Sequence, residues 1–397
     1  MITNCRSCYS EKLVDILSLG TQYLSDFINK GDPKPEKYPL NLVYCQNCTL
    51  VQLKDTVPAK SLYTDHYGYR SGINQTMRDH LREIVEDAKK RIGLLSPGDI
   101  VLDIGANDGT LLSNYSSKYV RVGFEPVKKL ASECEKHAEV VVNDFFNYDA
   151  YNKNVHGKAT IITAISMFYD LDDPNQFVED IKNILYDEGI FVIQQNYLLG
   201  MIWKCAFDNV VHEHLEYYSL KSLEHLLNRH GLEIVDVGLN NINGGSFRTY
   251  IKHMDNVKSL RMLEIQKGID KSELYNSFIQ QVYKIKDQLR SLIEEENKKG
   301  KIIYVYGAST RGNTLLQFCG LDHTLIRAAV ERNPDKWDKM IASVDIPIIS
   351  EEQARKDKPD YMLVLPWFFK EEIIKREAEY LKNGGHLIIP LPEIEII

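Results

Sequence analysis

The chain has 397 residues, 44% hydrophobic and 26% charged, with a formal net charge of −8. That length predicts two or three domains, the composition is that of an ordinary soluble globular protein, and no run of about 18 apolar residues offers a membrane span. The acidic balance argues against a general nucleic-acid binder but leaves room for a local basic groove, and the polar start MITNCRSCYS lacks the apolar core of a secretory signal, so a cytoplasmic protein with reduced thiols is expected.

Four of the seven cysteines fall as Cys5-x-x-Cys8 and Cys45-x-x-Cys48, separated by 36 residues. Two thiolates two residues apart chelate from one tight turn, and two such turns complete a closed tetrahedral Zn2+ site. A closed site has no open position, so its expected role is in folding. The stretch between the knuckles is longer than in compact ribbons and predicts a small insertion, a hairpin over Ile16 to Tyr44. A redox Cys-x-x-Cys would need a strand-helix context that is missing here. Next comes Tyr63-Thr-Asp-His-Tyr67-Gly-Tyr69-Arg70-Ser-Gly, an aromatic and polar loop. It reads either as an interdomain cover packed by tyrosine rings or as a substrate-gripping loop whose phenol acts as donor or general acid/base. A helix over Asn74 to Ile92 follows.

The stretch Ile100 to Leu112, IVLDIGANDGTLL, reads as a buried strand, a tight glycine turn and a helix start. The glycines let the backbone approach a ligand, and the free N-H groups of a helix start receive its polar groups. Asp103 is a carboxylate in an apolar strand end, which needs a partner. Further strands at Val120 to Phe124, Val140 to Val142, Thr160 to Ile165 and Ile190 to Gln194 alternate with helices, which predicts a doubly wound α/β sheet with ligands at the carboxyl ends of the strands. The strand-end residues are Gly105, Asn107, Asp108 and Gly109, then Glu125, then Asn143 and Asp144, then Ser166 to Asp170. A dinucleotide site wants G-x-G-x-x-G, whereas this loop reads G-A-N-D-G; Asp108 would repel a pyrophosphate, and Asp103 suits a cationic ammonium. S-adenosylmethionine fits this chemistry better than NAD.

His212-Glu213-His214 precedes a helix from Lys221 to His230, with Ser219 as its expected cap. Metal binding is disfavoured because the i, i+2 spacing does not put both imidazoles on one helix face and no third ligand is evident. The trio suits acid-base work, with Glu213 orienting or charging an imidazole. Asn240 to Ser246 reads as a hairpin turn, and a long helix from Lys271 to Lys298 leads to a second strand-loop-helix unit at Lys301 to Asn313, with further strands at Tyr361 to Pro366 and His386 to Pro390. Its loop carries Ser309, Thr310 and Arg311, a set that fits a phosphate or diphosphate; a packing domain with a merely polar loop is the alternative.

The order of these parts resembles the sugar C-methyltransferase family over nearly the full chain. The resemblance rests on Cys5, Cys8, Cys45 and Cys48, Tyr67 to Met77, Asp103 to Gly109, Glu213-His214 with Tyr-Tyr-Ser after it, Gly244-Gly-Ser-Phe-Arg248 and Tyr306-Gly-Ala-Ser. It implies an α/β fold with a zinc module at 1–70, a class I methyltransferase Rossmann-like domain at 71–255, and a helical bridge with a second Rossmann-like domain at 256–397. It also implies methylation at C3 of a nucleotide-linked 4-keto deoxysugar, by a monomer or small homo-oligomer. His214 would be the base, with Glu213 and His212 beside it and Tyr67 or Tyr69 as a substrate-side phenol. Asp103, Gly105, Asn107, Asp108, Gly109, Glu125, Asp144 and Ser166 would hold the cofactor, with Asp144 facing the adenine amine. Arg70, Arg248, Ser309, Thr310 and Arg311 would meet the substrate. Two departures stand out: Val211 replaces a common tyrosine, and Asp170, after Tyr169, replaces a common histidine. O- or N-methylation of a related sugar or small metabolite, and a non-catalytic scaffold, are the competing functions.

Overall fold

The computed structural model describes residues 1–63, 68–93, 95–250 and 263–397. In the first segment β1 (Leu13–Tyr23) pairs antiparallel with β3 (Lys37–Cys45), which is the hairpin expected between the cysteine knuckles. Short β2 (Phe27–Asn29) lies in its bend, and β4 (Val51–Leu53) pairs with β3. Leu40, Leu42, Leu50, Val51 and Leu53 form its buried side.

Helix α1 (Gln75–Ile92) then starts at Asn74, whose side chain accepts from the Thr76 N-H. Met77, Leu81, Ile84, Val85 and Ala88 recur at helical spacing and are buried together. The parallel strands follow: β5 (Ile100–Ile104), β6 (Val120–Phe124), β7 (Val140–Val142), β8 (Ala159–Ile165) and β9 (Leu185–Asn196). Two-residue β10 (Glu216–Tyr217), helix α2 (Leu220–Arg229) and the hairpin β11 (Asp236–Asn240) and β12 (Ser246–Tyr250) complete this region. The sheet order is β11-β12-β9-β8-β5-β6-β7. Every residue of β5 is buried, as a central parallel strand covered on both faces must be. Chain order reverses between β5 and β8, so a crevice opens at their carboxyl ends.

One expected element is missing. After Gly109 the chain makes only a 3-10 turn over Leu112–Asn114, not a helix. Asn114 Nδ2 donates to the Thr110 and Leu111 carbonyls and Ser113 Oγ to the Thr110 carbonyl, so side chains take the acceptors a helix would use.

Helix α3 (Ser272–Lys298) leads to the last sheet. Its elements are β13 (Ile303–Tyr306), helix α4 (Thr310–Cys319), β14 (Ala328–Glu331), β15 (Lys339–Ile341), β16 (Ile346–Ser350), β17 (Tyr361–Val364), β18 (His386–Ile389) and β19 (Glu395–Ile396). The sheet order is β19-β18-β17-β13-β14-β16-β15-β2, so the edge strand comes from the amino-terminal module. Conversely, β10 is the fourth strand of the amino-terminal sheet, paired with β4. The expected boundary after residue 70 is thus crossed by strands in both directions, and the boundary at 255 lies outside the described residues.

Candidate active site

The crevice holds a cavity of about 250 Å3, lined by the glycine loop and the ends of β5, β6, β7 and β8. Gly105 adopts φ +70° and Gly109 φ +78°, and a Cβ on Gly109 would stand 2.9 Å from the Cys134 Cα, so this backbone suits only glycine there. Five lining residues are acids, Asp103, Glu125, Asp144, Asp170 and Asp172, and the described lining includes no Lys, Arg or His. A cavity of that sign suits a cationic ligand and rejects a pyrophosphate.

Asp103 accepts from Thr163 Oγ1 at 2.6 Å, and burial pushes its carboxyl up to about 7. Its ionised form therefore lacks a counter-charge, which a ligand ammonium would supply. Glu125 accepts from the Asn107 and Val127 N-H groups at 2.8 and 2.9 Å, yet burial still raises its carboxyl above the ordinary value. Ser166, at φ +57°, accepts from Asn243 Nδ2 at 3.1 Å. Asp144 lines the outer end. The residues present fit S-adenosylmethionine.

Two loop residues have other work. The Asn107 side chain accepts from the Ser71 N-H and donates to the Tyr69 carbonyl. Asp108 accepts from the Gly72 N-H at 2.9 Å and Thr110 Oγ1 at 2.6 Å and does not line the cavity. Asp108 thereby ties the segment before α1 over the glycine loop.

The acid-base cluster follows the turn Phe207–Asn209. His214 Nδ1 lies 2.9 Å from the Asn209 carbonyl; a carbonyl only accepts, so Nδ1 carries the hydrogen and Nε2 the lone pair. Tyr169 meets this ring edge-on at 4.3 Å. Burial, aided by the positive charge of Arg311, holds His214 down at about 3, so it is neutral at neutral pH. Glu213 Oε2 is buried without a hydrogen-bond partner among the described residues, and burial pushes that carboxyl up to about 7. His212 turns the other way: Nε2 lies 3.0 Å from the Tyr38 carbonyl, and its ring meets Tyr38 edge-on at 6.3 Å. These contacts bolt it onto β3.

Tyr69 lines the cavity while 48% exposed, and its phenol is held above its ordinary value, so it stays a proton-bearing donor. Tyr67 lies outside the described residues. Tyr63 and Asp170, neither assigned a role from sequence, are paired at the cavity, with Tyr63 Oη donating to Asp170 Oδ2 at 2.8 Å. The second oxygen, Oδ1, is buried and without a partner among the described residues.

The expected substrate contacts scatter. Arg248 is buried in β12, donating to Gln194 Oε1, Glu83 Oε1 and Tyr250 Oη at 2.9, 3.1 and 3.0 Å, so it braces β12 against α1 instead of facing the cavity. Ser309 Oγ accepts from the Gly312 N-H as the cap of α4, which Thr310 opens. Arg70 lines a separate shallow groove with Asp108 and Asp335. Arg311 Nη1 donates to the Asn243 carbonyl at 2.7 Å and Nη2 to Asp208 Oδ1 at 3.2 Å, and Trp367 Nε1 donates to Asp208 Oδ2 at 2.8 Å. Sequence reasoning missed Asp208, Asn243 and Trp367. A signal existed at Asn243, an asparagine before two glycines that takes φ +53°.

The four cysteine Sγ atoms lie within 4.8 Å of one another, with Cys5 to Cys48 and Cys8 to Cys45 at 3.5 Å. Tetrahedral zinc with bonds of about 2.3 Å places sulfurs about 3.8 Å apart, so the cluster fits Zn2+. Gln52 Nε2, on β4, donates to Cys5 Sγ at 3.2 Å and orients it. The next strand over is β10, two residues beyond His214.

Three family models match the chain in succession: a zinc binding domain over 5–63, a methyltransferase domain over 77–237 and a C-methyltransferase C-terminal domain over 241–392. The chain is 31% identical over 409 aligned positions to the C-methyltransferase NovU of Streptomyces niveus, covering 100% of this chain and 97% of that protein. Among solved structures, an S-adenosylmethionine-dependent methyltransferase from Clostridium acetobutylicum ATCC 824 superposes with a TM-score of 0.36 at 14% identity, over 45% of this chain and 92% of that one. Magnesium protoporphyrin IX methyltransferase from Synechocystis PCC 6803 superposes with a TM-score of 0.36 at 11% identity, over 47% and 91%.

Proposed function

For a chain that belongs to the C-methyltransferase family and uses S-adenosylmethionine, we propose that the acceptor is a nucleotide-linked 4-keto deoxysugar, methylated at the carbon next to the ketone after His214 removes its proton. The observation that carries this reading is the setting of His214: Nδ1 is fixed on the Asn209 carbonyl, which leaves Nε2 to accept. A C-H beside a ketone is acidic enough for such a base when the enolate oxygen is stabilised. S-adenosylmethionine, when bound, supplies an electrophilic methyl group on a cationic sulfonium. Asp103, Glu125 and the Gly105 backbone would hold it at the ends of β5 and β6, and Tyr69 would cover it. The zinc module keeps β4 under β10 and so fixes the approach of His214. Closure between the sheets around the substrate would exclude water that could protonate the enolate.

The test is incubation with S-adenosylmethionine and a panel of dTDP-, GDP-, UDP- and CDP-linked 4-keto sugars, with mass detection and NMR location of the new methyl group. A C-methylated product from one of them is expected. No product from any keto sugar would overturn the sugar assignment, and a methyl on oxygen or nitrogen would overturn the role given to His214.

A further inference from the structure

Arg311 stands second in α4, where a diphosphate contact is expected, yet its guanidinium is already held on three sides. Nη1 is on the Asn243 carbonyl, Nη2 on the Asp208 carboxylate, and the Phe368 ring lies 4.5 Å from Cζ. Asp208 is 1% exposed, and Trp367 holds its other oxygen at 2.8 Å. Swinging Arg311 out to a phosphate would leave that buried carboxylate without its cation, a strongly unfavourable state. One donor remains. Nε is buried and has no hydrogen-bond partner among the described residues. A buried N-H of a charged group is unfavourable unless a ligand atom completes it.

Its surroundings say which atom. Arg311 is anchored on the 208–209 turn that also holds His214, whose ring is in contact with Tyr169. Asp208 and Asn209 are consecutive: the carboxylate of the first holds the cation, and the carbonyl of the second holds the base. Base and cation are thereby built onto one rigid turn, set before any substrate arrives, which is what stabilisation of a developing charge requires.

We propose that Arg311 Nε-H is the donor that receives the enolate oxygen of the substrate, and not an anchor for its diphosphate; this rests on the keto-sugar reading above. His214 Nε2 takes the proton from the carbon, the C-H electron pair moves into the adjacent carbonyl, and negative charge collects on the ketone oxygen. Arg311 donates a hydrogen bond to that oxygen and keeps its own proton, because a guanidinium does not deprotonate in a protein. The proton rests on His214. No other reactant is consumed.

The test separates chemistry from nucleotide grip. Exchange of the C-H of a dTDP-linked 4-keto sugar with D2O is followed by NMR at saturating sugar without cofactor, and dTDP binding by calorimetry, in wild type, Arg311→Gln and Asp208→Asn. The expected result is a fall in saturated exchange of roughly 100-fold or more in Arg311→Gln, on the scale of removing an oxyanion donor, with dTDP affinity within about threefold of wild type. Asp208→Asn, which keeps the shape but loosens the cation, should lose about tenfold in exchange, again with dTDP binding kept. Wild-type exchange in Arg311→Gln, or dTDP affinity weakened about tenfold with exchange kept, overturns the proposal. If Arg311→Gln does not melt cooperatively, Asp208→Asn decides: exchange at the wild-type rate overturns it. Wild type that exchanges no keto sugar overturns the keto-sugar reading itself, and the enolate role falls with it.

Discussion

At the scale of single residues the site is set by burial, which raises its acids and keeps a base neutral. His214 is held at about 3 against an ordinary 6.5, so in the folded state its lone pair survives well below neutral pH. His214→Gln should cut deuterium exchange at the substrate carbon roughly 100- to 10,000-fold, and exchange as fast as wild type would remove it from that role. For stability the sign is fixed: below pH 6.5 the unfolded chain binds a proton at this histidine that the folded chain refuses. Its contribution is therefore lost as pH falls from 6.5 toward 3. His214→Gln should flatten the acid-side fall in melting temperature. Asp103 runs oppositely: at about 7 against 3.8, its carboxyl is protonated in the folded protein where the unfolded one has ionised. The protein without cofactor should lose stability through this group as pH rises from about 4 to 7. Binding S-adenosylmethionine gives the carboxylate a cation, so at pH 6 it should release a proton, measured by calorimetry in buffers of different ionisation heat. Asp103→Asn should abolish that release.

At the scale of elements, the strands and helices follow from period and punctuation. The apolar run of β5, the helical spacing of α1 and the Ser219 cap of α2 all declare themselves locally, and each forms where the sequence predicts it. The helix after Gly109 fails because Ser113 and Asn114 compete for its carbonyls, a local effect outvoting a motif. A residue's place at the cavity was legible where its own strand end sets it, as for Asp103 and Glu125. It was not legible where the role depends on a partner far along the chain. His212 against Tyr38 and Arg311 against Asp208 are such pairs, and no periodicity announces them. The His212 case is measurable: His212→Gln should destabilise the fold by about 1 kcal/mol while leaving exchange within a few-fold of wild type, and a loss like that of His214→Gln would place it in catalysis.

At the scale of the whole molecule, the first and last sheets each take a strand from elsewhere in the chain. β10, which follows the cofactor strand β9, lies in the first sheet, and β2 of the zinc module lies in the last, so the module shares backbone hydrogen bonds with both of the other regions. Ile28→Pro removes a ladder donor at the middle of β2, opposite Met340. Zinc content should stay at wild type, because the knuckles lie on the far side of the hairpin, while limited proteolysis between the module and the last sheet should quicken and the methyl-transfer rate fall. An unchanged digestion pattern would show that β2 does not hold the two together.

That borrowed edge strand also has a consequence in time. Ile28 leaves the ribosome about 310 residues before Met340, which at 5–20 residues per second is roughly 15–60 s. Through that interval the edge of β2 is unpaired, a standing invitation to intermolecular pairing. The hairpin of β1 and β3, stapled by zinc, is complete within the first 48 residues. Metal supply during translation, more than in the finished enzyme, should therefore govern how much of the chain escapes aggregation.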